Sequence, residues 1–567
     1  MNRLILLSIV LISLSACSDD KNSDHKSESQ LNTQQATKPN ILLIVLDDAA
    51  YSDFGFYGGE IETPHIDALA EAGLSFSQFH VTPNCSSTRA SLLTGMDHHR
   101  TGLGTHGATA ENQRGKPGYE SYLNTRVNTL AEVLQNAGYR TMMTGKWHLG
   151  SRDPKTWPAA RGFDDTFVLI NGGASHWQDN LPLFPSKPSI YSRNGQVLKK
   201  LPEGFYSTTN YTSEMINFIE GNYESGKPFM GYLAYTAPHN PLHAPAEVIN
   251  KYKDRYKSGW DALQQSRLAG LKAKGLIKTD VPVQPRPTYI RAWDKLSAEE
   301  QANSARDMAI YAAMIDIIDQ NLGRLFAHLR ASRQYDNTMI ILISDNGPSK
   351  TTIADYLALD GASDEFIKSF NNNMDNRGLP GSSVDLGPGW AYGLAAPFRL
   401  MKGYQAQGGI KSPLIVKLPK GMIQADEAVH VPVHVMDIMP TMLDLAGASS
   451  TLTPENGKLE MQGISLLPVM TGGRDELLQS RGFGGELFGI RFYRQGQWKI
   501  LHLPVPYGTG QWQLYNLSSD PGELNDVSAS HPKIFQRLIS AWQEYANING
   551  VVEPDTPVFY AAPPRVK

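Results

Sequence analysis

Cysteine is almost missing from this chain: 567 residues carry two, Cys17 and Cys85. If each has its own task, no disulfide exists, and a disulfide framework is not what holds the fold. An excess of charge of one sign is also lacking. The formal net charge is −4, with no basic stripe and no long acidic run, which argues against a nucleic-acid partner. Beyond the first 17 residues no apolar run reaches membrane-spanning length, and there are no internal repeats. What is there is 41% apolar and 19% charged, a globular composition. The length suits one very large α/β domain with an appendage, or several smaller domains.

The N-terminus reads as secretory. Arg3 gives a positive start and residues 4–16 form an apolar stretch too short to span a bilayer. Leu14-Ser15-Ala16-Cys17 resembles a bacterial lipobox, in which the cysteine becomes the lipidated first residue; the alternative is a simple cleaved signal peptide. Residues 1–17 are read as a lipoprotein signal peptide and 18–38 as a flexible polar tether. The resemblance implies an exported protein of the bacterial cell envelope, lipid-anchored through Cys17. Ser18 rather than Asp follows that cysteine, which implies the outer membrane, facing the periplasm or the cell surface.

Residues 41–46 are a continuous apolar run, read as a central parallel strand buried on both faces. Asp47-Asp48 follows at its C-terminal end, where ligands gather in open α/β sheets. Adjacent carboxylates repel each other unless a cation lies between them. A second buried strand, 338–343, runs into Ser344-Asp345-Asn346-Gly347, offering further hard oxygen ligands. Strands are also expected at 74–79, at 139–144 before Gly145-Lys146-Trp147-His148-Leu149-Gly150, and at 229–235 before Ala237-Pro238-His239-Asn240-Pro241. Extended chain would put Lys146 and His148 on one face. Helices are predicted from Pro64 to Gly73, from a Thr129/Glu132 capping box to Gly138, and over 304–332. The histidines of Asp97-His98-His99 read as packing or capping residues, with metal binding the lesser alternative. Residues 251–300 look like a polar insertion, and 350–388 like a loop-rich rim. After Gly472-Gly473 the texture changes to short strands near 490–493, 498–502 and 513–516, then a helix over about 531–548.

The stretch that organises the chain is Pro83-Asn84-Cys85-Ser86-Ser87-Thr88-Arg89-Ala90-Ser91-Leu92-Leu93-Thr94-Gly95. Ser86 or Ser87 can cap a helix here. Cys85 then sits at the positive helix end, with Arg89 leaning back towards it. That is a place for an anion beside a nucleophile. The stretch resembles the type I sulfatase signature C-x-P-S/T-R-x-x-x-L-T-G, with Ser87 where that family has proline. Gly145–Gly150 matches the family's G-K-W-H-L-G, and His239 its A-P-H-x-P. Lys402–Pro413 follows K-x-x-x-x-E-G-G-I-R-V-P with Gln407, Lys411 and Ser412 replacing Glu, Arg and Val. The chain is identified on these motifs as a formylglycine-dependent, arylsulfatase-like member of the alkaline phosphatase superfamily.

The resemblance implies an α/β fold: a large, mostly parallel mixed sheet flanked by helices, with a smaller C-terminal α+β subdomain carrying an antiparallel sheet. The catalytic domain would be 39–473 and the subdomain 474–567. It implies that a maturation enzyme oxidises Cys85 to formylglycine, whose hydrate attacks sulfur. One Ca²⁺ would be held by Asp47, Asp48, Asp345, Asn346 and the residue at Cys85. Arg89 and Lys146 would hold the nucleophile and the developing charge. His239 and Lys402 would assist the leaving oxygen, and His148 would regenerate the aldehyde. The substrate would be a small-molecule or sugar sulfate ester. Two alternatives stay open: a phosphonate or phosphate monoester hydrolase of the same superfamily, and a surface-tethered binding lipoprotein left unmatured because of Ser87.

Overall fold

Asn40–Leu46 (β1) is buried at all seven positions, because it lies in mid-sheet with a core on each side. Its side chains alternate. Leu42, Ile44 and Leu46 enter a core with the long helix Ala298–Ala331. Ile41, Leu43 and Val45 enter another with the helices Cys85–Thr94, Leu130–Asn136 and Ile438–Leu445. Removing each such side chain from water contributes about 1.5–3 kcal/mol. The computed structural model describes residues 38–567 except 108, 362, 423–428, 449–457, 474–475, 557, 559 and 561–567. The signal segment, Cys17 and the tether to residue 37 lie outside the described residues.

The other strands are Leu74–Ser75 (β2), Phe79–His80 (β3), Arg140–Lys146 (β4), Asp165–Leu169 (β5), Tyr191–Arg193 (β6), Gln196–Val197 (β7) and Phe229–Ala234 (β8). Then come Thr338–Ser344 (β9), Leu414–Lys417 (β10), Val433–His434 (β11), Gly482–Leu487 (β12), Ile490–Gln495 (β13), Trp498–His502 (β14) and Trp512–Asn516 (β15). Nine form one sheet in the order β2-β10-β9-β1-β8-β4-β5-β6-β7. Its five central strands, β9 to β5, run parallel, and the flanking pairs are antiparallel. Leu46 pairs with Ser344, Val45 with Ala234 and Gly145 with Ala234, so the C-terminal ends of four strands lie side by side. The expected fold class is found.

Some elements differ from expectation. The 74–79 strand is two dipeptide strands in different sheets. The long helix starts at Ala298, because Ser297 and Glu300 form a capping box six residues ahead of the expected start. Inside the expected polar insertion lies a helix, Gly259–Ala273, that buries Trp260, Leu263, Leu268 and Leu271. Its apparently polar face includes Arg267, fully buried and paired with Asp53 and Glu60 at 2.7 and 2.6 Å. The C-terminal sheet, β12 to β15, packs on the helix Pro532–Asn549. Its opposite side shares the large core through Phe483, Leu487, Ile490 and Phe492. Among the described residues no helix is long and apolar enough to cross a membrane.

Candidate active site

The register places Asp47 and Asp48 beyond β1, Asp345 and Asn346 beyond the adjacent β9, and Lys146 at the end of β4. His239 lies in the loop after β8. All are buried. The helix that begins at Cys85 brings its first residue to the same spot. Its cap position is Asn84, not Ser86 or Ser87. The Ser87 hydroxyl instead donates to Asn84 O at 3.0 Å and lies 2.6 Å from Thr82 Oγ1. Cys85 Sγ lies 3.2 Å from Asp47 Oδ1, 3.8 Å from Asp48 Oδ1 and 3.1 Å from Lys402 Nζ.

Each carboxylate has a basic partner. Lys146 Nζ donates to Asp47 Oδ2 at 2.6 Å. Lys402 Nζ donates to both Asp48 oxygens, at 2.7 and 2.9 Å. Arg89 donates to Asp345 Oδ2 through Nε at 2.8 Å and to Lys146 O through Nη1 at 3.0 Å. Asp48 has a left-handed φ of 71°, a conformation costing on the order of 1–3 kcal/mol. It is held there by its N–H to Asp345 Oδ1 at 3.3 Å and by the Asn346 amide, 2.5 Å from its Oδ1. Ligand atoms of Asp47, Asp48, Cys85 and His239 all lie within 4.8 Å of one another. Asn346 Oδ1 is buried with no hydrogen-bond partner among the described residues.

His148 departs from the expected alternation. β4 ends at Lys146, and His148 turns with a φ of 62°. Its Nε2 lies 2.9 Å from His106 Nε2, while Nδ1 of both rings is buried and without a partner among the described residues. Sequence reasoning missed His106, which lies in a loop with no motif around it. His239 holds Asn240 O with Nδ1 at 2.6 Å and faces Asp48 Oδ2 with Nε2 at 3.7 Å. His243 bonds Ser382 O and His176 N at 2.9 and 3.2 Å and is structural. His99 bridges Asp97 and Glu486 with both ring nitrogens, at 2.8 and 3.0 Å, and Asp97 caps the helix His98–Thr101; ligand atoms of Asp97, His98 and His99 lie within 4.8 Å of one another.

The electrostatics follow from burial and these pairs. Burial, then Asp345 and Asp47, pushes the Cys85 thiol above its ordinary range, so it is not a thiolate at neutral pH. Burial alone would raise Asp47, but Lys146, His239, Arg89 and Lys402 hold it well below the usual carboxylate range. Asp345 is pushed up to about 6 by burial and by Asp47. Burial would lower Lys402, yet Asp48 and Cys85 hold it well above its usual value. Burial and Lys402 bring His239 down to about 4, and burial and His106 bring His148 well below its usual value.

Beside the C-terminal ends of the parallel strands, three carboxylates, Asp47, Asp48 and Asp345, are gathered with three cations, Arg89, Lys146 and Lys402. A family model described as Sulfatase matches residues 39–448, and one described as N-sulphoglucosamine sulphohydrolase, C-terminal, matches 400–545. The chain belongs to the sulfatase family and is a sulfuric ester hydrolase. It is 39% identical to an uncharacterised sulfatase of Schizosaccharomyces pombe, over 91% of this chain and 95% of that one. It is 36% identical to an arylsulfatase of Klebsiella aerogenes, over 77% and 92%. The solved structure of Ps i-CgsB superposes with a TM-score of 0.64 at 25% identity, covering 92% and 94%.

Proposed function

We propose that the chain hydrolyses aryl or sugar sulfate esters through a formylglycine made from Cys85, with one bound divalent cation. The observation that carries this reading is the setting of Cys85. It is the first residue of its helix, between Asp47 and Lys402, with its thiol held protonated. A thiol in that state is a poor nucleophile. Formylglycine and a hard cation would supply an oxygen nucleophile and Lewis-acid polarisation of the sulfate.

The residues present fit such a cation. Asp47, Asp48, Asp345 and Asn346 offer oxygen ligands, and Asn346 Oδ1 has no other partner among the described residues. That donor set suits Ca²⁺ before Mg²⁺. Arg89 and Lys146 place positive charge beside Asp47, where sulfate oxygens gain charge during transfer. Lys402, held cationic by Asp48, and His239 next to Asp48 are the groups assigned to assist the leaving oxygen. His148, kept neutral by burial and by His106 2.9 Å away, is the residue assigned to proton removal when the aldehyde is regenerated.

Relatives favour sulfate. An N-acetylglucosamine-6-O-sulfatase of Bacteroides thetaiotaomicron is 24% identical over 98% of this chain and 93% of its own. The deciding experiment is paired rates on one aryl group as its sulfate and its phosphonate ester. Faster phosphonate hydrolysis would replace this reading with the phosphonate one.

A further inference from the structure

The two groups assigned to the leaving oxygen, His239 and Lys402, are each backed by a tyrosine. The Tyr356 ring lies 6.3 Å from that of His239, with the planes 34° apart. Tyr356 sits on the short helix Ile353–Asp360 and is 6% exposed. On the Lys402 side, Tyr560 packs directly on Gly403: a Cβ there would lie 2.2 Å from Tyr560 Cγ. Burial lowers Lys402, while Asp48, Cys85, Tyr356 and Tyr560 raise it, so both phenols are within Coulombic reach of its ammonium.

Tyr560 comes from the far end of the chain. After the helix Pro532–Asn549 the tail is tied down, with Asn112 Nδ2 donating to Glu553 O and Gln113 Nε2 to Val552 O, both at 2.7 Å. Tyr560, 5% exposed, then closes a ring of contacts around the leaving-group side. Its hydroxyl lies 2.9 Å from Thr351 Oγ1, and Thr351 O accepts from Asn240 Nδ2, next to His239, at 2.9 Å. Leu183 borders the same histidine: a Cβ on Gly173 would stand 3.3 Å from Leu183 Cδ2 and 3.5 Å from His239 Cε1. Leu183, Ile353, Tyr356 and Leu357 form one apolar cluster.

Given the reading that His239 and Lys402 assist the leaving oxygen, on which this rests, we propose that Tyr356 and Tyr560 are specificity-determining residues: they wall the leaving group and select a flat aromatic one over a sugar. A sugar carries a hydroxyl on most of its ring carbons, and each needs a partner once out of water. The wall offers mainly carbon, from two phenol rings and Leu183, and the Tyr560 hydroxyl is already engaged by Thr351. An aryl ring needs no such partners and gains from aromatic contact. Because Tyr560 arrives with the tail, the C-terminal segment is part of the site.

The test uses the full chain as wild type, Tyr356→Ala, Tyr356→Phe and Tyr560→Ala. Activity is read as kcat/KM on 4-nitrophenyl sulfate and on glucosamine 6-sulfate. Each alanine variant loses about 10-fold on the aryl ester and less on the sugar ester, and Tyr356→Phe keeps the wild-type preference. A variant that merely displaces His239 does the opposite, since the more basic sugar oxygen depends more on acid help. Binding is read separately, by NMR titration of 4-nitrophenol and of methyl glucoside into protein carrying Cys85 as the thiol. The wild type binds the phenol more tightly, and both alanine variants weaken it about 10-fold. The proposal is overturned if the alanine variants keep the wild-type ratio of rates, if the sugar ester suffers more, or if the wild type binds the glucoside as tightly as the phenol. Wild type that turns over neither ester contradicts the sulfate reading instead, and phenol binding then decides the wall alone. Tyr356→Ala carries the test by itself should Tyr560→Ala fail to fold.

Discussion

Lys402 offers the sharpest mechanistic perturbation. It makes two hydrogen bonds to Asp48 and stands 3.1 Å from Cys85 Sγ. At 2% exposure of its side chain, salt does not screen it. A charged hydrogen bond of this kind contributes about 1.5–3 kcal/mol, which is about 10- to 10²-fold in rate if it forms in the transition state. That help matters most when the departing oxygen is strongly basic. Lys402→Ala therefore slows a nitrophenyl sulfate modestly and an alkyl or sugar sulfate by ~10²-fold. Lys146→Ala slows both alike, because Lys146 serves Asp47 and the sulfate common to every substrate. The assay is log kcat/KM against leaving-group pKa for the wild type and both variants. A steeper slope for Lys402→Ala alone is the expected result. Parallel lines for all three enzymes refute the leaving-group role. Removing Lys402 also strands a buried Asp48, at a stability cost of about 3–5 kcal/mol, so rates are read below each variant's measured melting point.

Two further outcomes are expected. Asp345 is pushed up to about 6 in the fold, so between the unfolded carboxyl's range, near 4, and about 6 the folded state binds the extra proton. Its contribution is present in full at lower pH and lost as pH rises through about 6; in chelator-treated protein the thermal midpoint of the wild type, taken relative to Asp345→Asn, falls across that window, added Ca²⁺ opposes the fall, and identical curves with and without Ca²⁺ contradict the cation assignment. Cys17→Ser yields protein without acyl chains and poorly processed, read by fractionation and mass spectrometry; wild-type protein that is freely soluble and unacylated contradicts the anchor.

What was legible in the sequence was what is local. The runs 41–46 and 338–343 are apolar throughout because both faces of those strands are covered, and the carboxylates after them mark the site at once. The Thr129 capping box needs only four residues to be read. What was not legible depends on distant partners. Arg267 reads as surface until Asp53 and Glu60 are seen beside it. The helix around it was hidden for that reason. His106 lies 42 residues from His148 and nothing in its loop announces the contact. Lys411 reads as a minor departure in a motif until the structure shows the cation buried between two aromatic rings.

The central claim is that Cys85 becomes the catalytic aldehyde. Ser87 stands where the resembling signature has proline, and its hydroxyl only bonds locally to Thr82 and Asn84. We expect serine, which lacks proline's fixed φ, to permit conversion, and Ser87→Pro to raise the converted fraction. The direct measurement is mass spectrometry of the Cys85 peptide from protein made in its native host. The account predicts a peptide carrying the aldehyde, in a fraction that tracks sulfatase activity. Unmodified thiol alone, in protein that still hydrolyses sulfate esters, would contradict it.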